Sequence, residues 1–145
     1  MTRVVLDTNI IVSSLLQPLG PPAQVLVLGL AGSVLLCVSG SVYAEYEEVI
    51  SRPRFRRSAE VISSTLHAIR DRSLWVRPTE IVRACSDPDD DVFLECAQAA
   101  QAAYLVTGNL KHFPPWWRGT RIVSPRQLLD LTLGTTPGDP KPIDT

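Results

Sequence analysis

Short apolar runs alternate with longer stretches of helical spacing through the first 133 residues. Val4-Val5-Leu6, Val34-Leu35-Leu36-Cys37-Val38, Leu74-Trp75-Val76, Tyr104-Leu105-Val106 and Arg121-Ile122-Val123 read as strands. Between them the pattern predicts helices over Ala23–Ala31, Ser41–Ser51, Ala59–Asp71, Asp89–Ala102 and Pro125–Leu133. Ser41 and Ser124 suit helix N-caps, and Pro125 suits a first helical position. Strands that are apolar on both faces and alternate with helices predict a parallel sheet covered on two sides. Ligands of such sheets collect beyond the carboxyl ends of the strands, so the residues that follow each strand are the place to look for chemistry.

Length and composition narrow the field. The 145 residues suit one domain, and neither a repeat nor a linker divides them. A single domain is expected over residues 1–133. Gly134–Thr145 (GTTPGDPKPIDT) has little apolar content and is expected to be a flexible tail. The net charge of −1 announces no global attraction for nucleic acid, so any grip on phosphate must be local. Cys37, Cys85 and Cys96 are odd in number and widely spaced, which argues against a disulfide framework or a zinc site. The N-terminal apolar stretch is interrupted by Asp7 and Asn9, and reads as neither signal peptide nor membrane span. A cytoplasmic protein is the default expectation.

Asp7-Thr8-Asn9 follows the first strand, and Ser39-Gly40-Ser41 the second, with Glu45 one helical turn further on. Thr107-Gly108-Asn109 follows the fourth, and Asp87-Pro88-Asp89-Asp90-Asp91 opens the helix before it. Three sources of carboxylate thus converge on one rim of the predicted sheet. Hard cations such as Mg²⁺ or Mn²⁺ take oxygen ligands of this kind. Each carboxylate alone has a plainer explanation. Asp7 could cap the turn after its strand. Glu45 has Glu47 and Glu48 beside it on a helix whose glutamates could face solvent, and aspartates at a helix start complement its dipole. Capping needs one or two carboxylates, however, and Asp87–Asp91 supplies four in five positions.

These stretches, taken in order, resemble PIN domains, the small ribonuclease domains typified by VapC-like toxins of toxin–antitoxin modules. The resemblance covers Val4-Val5-Leu6-Asp7-Thr8-Asn9, Ser39 to Glu45, Asp87 to Ala97 and Ala103 to Asn109, with His112-Phe113-Pro114 beyond them. It implies a flap-nuclease-like three-layer α/β/α sandwich on a central parallel five-stranded sheet ordered 3-2-1-4-5. It also implies Mg²⁺- or Mn²⁺-dependent endonucleolytic cleavage of RNA, a cognate antitoxin and a homodimer. Carried over residue by residue, Asp7, Glu45 and Asp90 match the acidic positions that hold the metal. Asp91 stands next to them as a further ligand, and Asp91 and Asp87 are close enough either to support the set or to take the place of Asp90 in it. Asn9 and Thr107 match residues that orient carboxylates. Asn109 departs from the pattern, since many PIN domains carry Asp there, and its amide contributes no charge.

Arg52, Arg54, Arg56 and Arg57 form the one dense basic cluster, either a grip on RNA phosphates or a solvated or antitoxin-docking patch. Trp116-Trp117-Arg118 could stack bases, or its tryptophans fill the space between the fourth strand and the last helix or cover an oligomer interface. His67 and His112 are isolated, and no Ser-His-Asp set accompanies them. A PIN-fold binding module with a weakened site is the alternative that Asn109 favours. A doubly wound nucleotide-binding protein is disfavoured, because no glycine-rich phosphate loop follows the first strand.

Overall fold

The structure, a computed structural model, describes residues 1–52 and 58–133. Strands β1 (Arg3–Leu6), β2 (Leu35–Val38), β3 (Leu74–Trp75), β4 (Tyr104–Val106), β5 (Trp116–Trp117) and β6 (Thr120–Val123) form one sheet in the order β3-β2-β1-β4-β6-β5. Every pairing is parallel except that of β5 with β6. The expected five parallel strands and their order are therefore present, with a sixth, antiparallel strand added at one edge. The chain makes that addition by reversing at Arg118-Gly119, both at positive φ (45° and 88°), the conformation of a tight hairpin turn.

Among the described residues six α-helices accompany the sheet: α1 (Thr8–Leu16), α2 (Pro21–Leu30), α3 (Gly40–Ile50), α4 (Ala59–Arg72), α5 (Asp91–Ala100) and α6 (Pro125–Leu133). Val4, Val5 and Leu6 of β1 are all buried, so both sheet faces are covered. Helix α5 lies against β1, β2 and β4, whereas α2 packs on β2 and against α1 and α6. The approach of α2 to β2 is close, for a Cβ on Gly29 would come within 2.5 Å of Leu36 Cγ. Among the described residues no single helix is long and apolar enough to cross a membrane.

Four sequence expectations need correction in detail. Helix α1 is not among the expected helices; Thr8, Ile10, Ile11 and Ser14 form its buried face. The cap of α3 is Ser39, whose Oγ accepts the Val42 N–H at 3.2 Å, and Ser41 lies inside the helix. The helix expected from Asp89 starts as one 3₁₀ turn (Pro88–Asp90) and becomes α-helical at Asp91. It stops at Ala100, where Gln101 turns left-handed with φ 51°. By contrast, Ser124 caps α6 as expected: its Oγ accepts the Gln127 N–H while Gln127 Oε1 accepts the Ser124 N–H. The expected tail, Gly134–Thr145, lies outside the described residues.

Candidate functional site

Asp7 ends β1, and its backbone N–H donates to Val106 O of β4 at 2.9 Å, which fixes the residue at the rim of the sheet. Its side chain is buried, and Oδ2 accepts the Thr107 hydroxyl at 2.8 Å. Burial pushes the Asp7 carboxyl above its ordinary range, while Thr107 and the N–H groups of Thr8 and Asn9 pull it back part of the way. Behind it, the buried Tyr46 hydroxyl donates to Leu6 O at 2.5 Å, securing the end of β1 against α3.

Glu45 reaches the same rim from α3. Val42, Tyr46 and Ile50 form the buried stripe of this helix. Glu45 lies three residues after Val42 and at the stripe's flank, half-buried, while Glu47 and Glu48 point to solvent. Burial raises its carboxyl, and the charges of Asp7, Asp89 and Asp90 raise it further. The Thr8 hydroxyl offsets this in part without a hydrogen bond of good geometry, since Thr8 Oγ1 is buried and unpartnered.

Asp90 comes from the 3₁₀ turn ahead of α5. Asp87 caps that turn by accepting the Asp89 N–H at 2.9 Å. Burial, then the negative charges of Asp7 and Asp87, drive the Asp90 carboxyl up to about 6, with His112 opposing them. His112 Nδ1 stands 3.7 Å from Asp90 Oδ2, and that buried oxygen has no hydrogen-bond partner. Asp7, Glu45 and Asp90 line one cleft of about 260 Å³, together with Thr8, Asn9, Asn109 and His112. Among the described residues no three His, Cys, Asp or Glu side chains close into a ready-made metal cage. The donor set still suits a hard cation. Three carboxylates line it, two buried oxygens (Thr8 Oγ1 and Asp90 Oδ2) are unpartnered, and no thiolate lines the cleft.

The remaining expected residues divide. Thr107 and Asn9 are brought to the site: Thr107 as donor to Asp7, and Asn9 through Oδ1, which accepts the Gly108 N–H at 3.3 Å. Asn109 lines the cleft, and its N–H donates to Thr107 Oγ1 at 3.0 Å. Asp91 is not among the residues lining it. Its buried Oδ1 accepts the backbone N–H groups of Ala84 and Cys85 at 3.1 and 2.8 Å. Burial alone would raise Asp91, yet those donors outweigh it and hold the carboxyl below its ordinary range. Arg52 is engaged locally, paired with Glu48 at 2.8 Å, and Arg54, Arg56 and Arg57 lie outside the described residues. His112 and Thr8 line the cleft without having been expected there. The available signals were weak: Thr8 adjoins Asp7, and His112 follows Asn109 by three residues, one turn of 3₁₀ helix.

A PIN domain family model matches residues 3–111. The uncharacterized protein MJ1680 of Methanocaldococcus jannaschii is 28% identical over 110 residues, 74% of this chain and 70% of its own. The fold is similar to VapBC2 from Rickettsia felis bound to a DNA fragment from their promoter. That match has a TM-score of 0.55 and 18% identity, over 85% of this chain and 98% of the other. It is also similar to FitAB bound to an IR36 DNA fragment, with a TM-score of 0.54 and 16% identity over 84% and 94% of the two chains.

Proposed function

The chain belongs to the PIN domain family, and from that premise we propose that it is a metal-dependent endoribonuclease, the toxin half of a toxin–antitoxin pair. One observation carries the reading. Asp7, Glu45 and Asp90, from three separate stretches of sequence, line a single cleft in which every one of their carboxyls is driven upward. A cluster that resists its own ionisation is relieved by a divalent cation.

Asp7, Glu45 and Asp90 would hold Mg²⁺ or Mn²⁺. When bound, such an ion lowers the pKa of water and stabilises negative charge on the attacked phosphate. The protein's share is positional. Thr107 fixes the Asp7 carboxylate through Oδ2, leaving Oδ1 free of that bond. Asn9 ties the start of α1 to the loop after β4, so the Asp7 carboxylate and the amide of Asn109 keep their relative places. His112, beside Asp90 Oδ2, supplies an imidazole at the cleft mouth that can donate to a phosphate oxygen. Asp91 and Glu95 accept the N–H groups of Ala84, Cys85 and Val82 and so bind the strand-to-helix segment along α5, which steadies the turn that carries Asp90. By the family resemblance the partners are an RNA substrate, a cognate antitoxin and a second copy of the chain, with action in the cytoplasm.

The test is purified protein on single-stranded and structured RNA with Mg²⁺ or Mn²⁺ against EDTA. Cutting that needs the ion and disappears in Asp7→Asn supports the nuclease. A second reading, a PIN-fold RNA- or protein-binding module, is favoured by Asn109, an uncharged amide in the cleft. Binding without cutting under any ion would select it.

A further inference from the structure

Trp116 and Trp117 are neighbours with opposite fates. Trp117 is half-buried, and its Nε1 donates to Gln98 Oε1 at 3.0 Å. Trp116 is 61% exposed. The β5–β6 register sets it directly opposite Arg121, so both side chains share one face of the hairpin. The Arg121 guanidinium lies 6.0 Å from the Trp116 ring centroid. The pair walls a groove of about 330 Å³ that runs past Leu110. Leu110 also lines a second groove of about 400 Å³, whose cation is Lys111. Asn109 and His112 line both this second groove and the carboxylate cleft. The cleft and the two grooves therefore adjoin in series, a path marked by the lining residues they share. Among the described residues no Asp or Glu lines either groove along it.

We propose that this path carries the single-stranded RNA that extends from the cleft, with Lys111 and Arg121 on its phosphates and the Trp116 ring stacking one of its bases. The proposal rests on the nuclease reading for the identity of the strand. Its physical grounds are separate: a polyanion is repelled by the cleft's carboxylates and attracted by the cations beyond them. An exposed indole backed by a guanidinium offers a face to any unpaired base, whereas bases in a duplex are already stacked and paired.

The test pairs binding with cleavage. Fluorescence anisotropy with a labelled octauridylate in EDTA at low salt reads binding without cutting. Trp116→Ala should weaken it about five- to hundredfold, the range of one base stack, while Trp116→Phe retains most of it. Lys111→Ala should weaken it with a shallower salt dependence, and an RNA duplex of the same length should gain nothing from Trp116. In the Mn²⁺ cleavage assay Trp116→Ala should raise KM on the octanucleotide with kcat unchanged. Because Trp116 is exposed, an unchanged melting temperature checks that the variant folds. Cleavage that persists while Trp116→Ala binds and cuts like wild type overturns the path and spares the nuclease. Binding that depends on Trp116 without cutting under any ion spares the path and overturns the nuclease. A duplex that depends on Trp116 as strongly as the single strand also overturns the path.

Discussion

The Thr107 hydroxyl donates to Asp7 Oδ2 at 2.8 Å across a sequence separation of 100 residues, joining the ends of two adjacent strands inside the buried rim of the sheet. Thr107 also accepts the Asn109 N–H, so one side chain sets both a carboxylate and the neighbouring loop. Thr107→Val keeps the shape and removes the donor. The cost expected is about 1–2 kcal/mol of stability, as for a buried bond whose partner is left behind. Since Thr107 holds Asp7 down, its loss should raise the Asp7 carboxyl further and move the pH for half-maximal metal binding upward. Urea unfolding and Mn²⁺ titration at several pH values measure both effects, and Thr107→Ser should restore them.

Asp90 sets a pH dependence with a definite sign. Its carboxyl is driven up to about 6 by burial and by Asp7 and Asp87, against an unfolded value of about 3.9. Between those values the folded state binds the extra proton. Stability of the metal-free protein should therefore fall as pH rises from about 4 to about 6, and then level off. Asp7 and Glu45, also raised, act in the same direction. Added Mn²⁺ should reverse the trend, stabilising more at pH 7 than at pH 5, because it binds the deprotonated set. Melting temperatures in EDTA and in Mn²⁺ across this range test it. A metal-free curve that climbs through the window would contradict the assignment of Asp90.

Asp90 and Asp91 are adjacent and should respond oppositely. Asp90→Asn removes a charge that its surroundings resist, so in EDTA at pH 7 it should raise stability by about 1–2 kcal/mol and abolish the gain from Mn²⁺. Asp91→Ala removes the acceptor of the part-buried Ala84 and Cys85 N–H groups and should cost about 1–3 kcal/mol. Because Asp91 is held low, its contribution is present above its unfolded pKa and is lost as pH falls through its folded one. Chemical denaturation of the two variants side by side decides between these roles.

That contrast marks what the sequence could and could not disclose. Val4-Val5-Leu6 and Tyr104-Leu105-Val106 announce buried strands because apolar residues stand on both faces, and alternation with helices announces a parallel sheet, whereas the strand order comes from the resemblance to PIN domains. The same logic brings Asp7, Glu45 and the Asp87–Asp91 run to the rim, and the choice of Asp90 within that run comes from the resemblance to PIN domains. Asp91 is not distinguishable from Asp90 in one dimension. A step of about 100° around a helical turn sends one carboxylate to the cleft and the other to the backbone of Ala84 and Cys85. Strand β5 was missed for another reason. Two residues after Pro114-Pro115 carry no alternation to detect, and their pairing is made by the turn at Arg118-Gly119. Helix α1 hides behind Ile10-Ile11-Val12, β-branched residues of low helix propensity held helical by tertiary burial of Ile10 and Ile11.

Asn109 is the position at which adding charge should discriminate metal affinity from fold stability. It lines the cleft with Asp7, Glu45 and Asp90, exposed enough to accept a change of group without repacking. Asn109→Asp places another negative charge among carboxyls already raised by burial and, for Glu45 and Asp90, by the charge of Asp7. In EDTA it should push Asp90 upward again and lower stability by about 1 kcal/mol or less, because an exposed carboxylate is screened. With the ion present the same charge becomes attractive, so calorimetric titration should give tighter Mn²⁺ binding by about three- to tenfold, a gain that falls as salt rises. If the cleft binds a cation to drive cleavage, the Mn²⁺ concentration for half-maximal RNA cutting should drop in parallel. Equal Mn²⁺ affinity in the two proteins would show that position 109 lies outside the field of the bound ion.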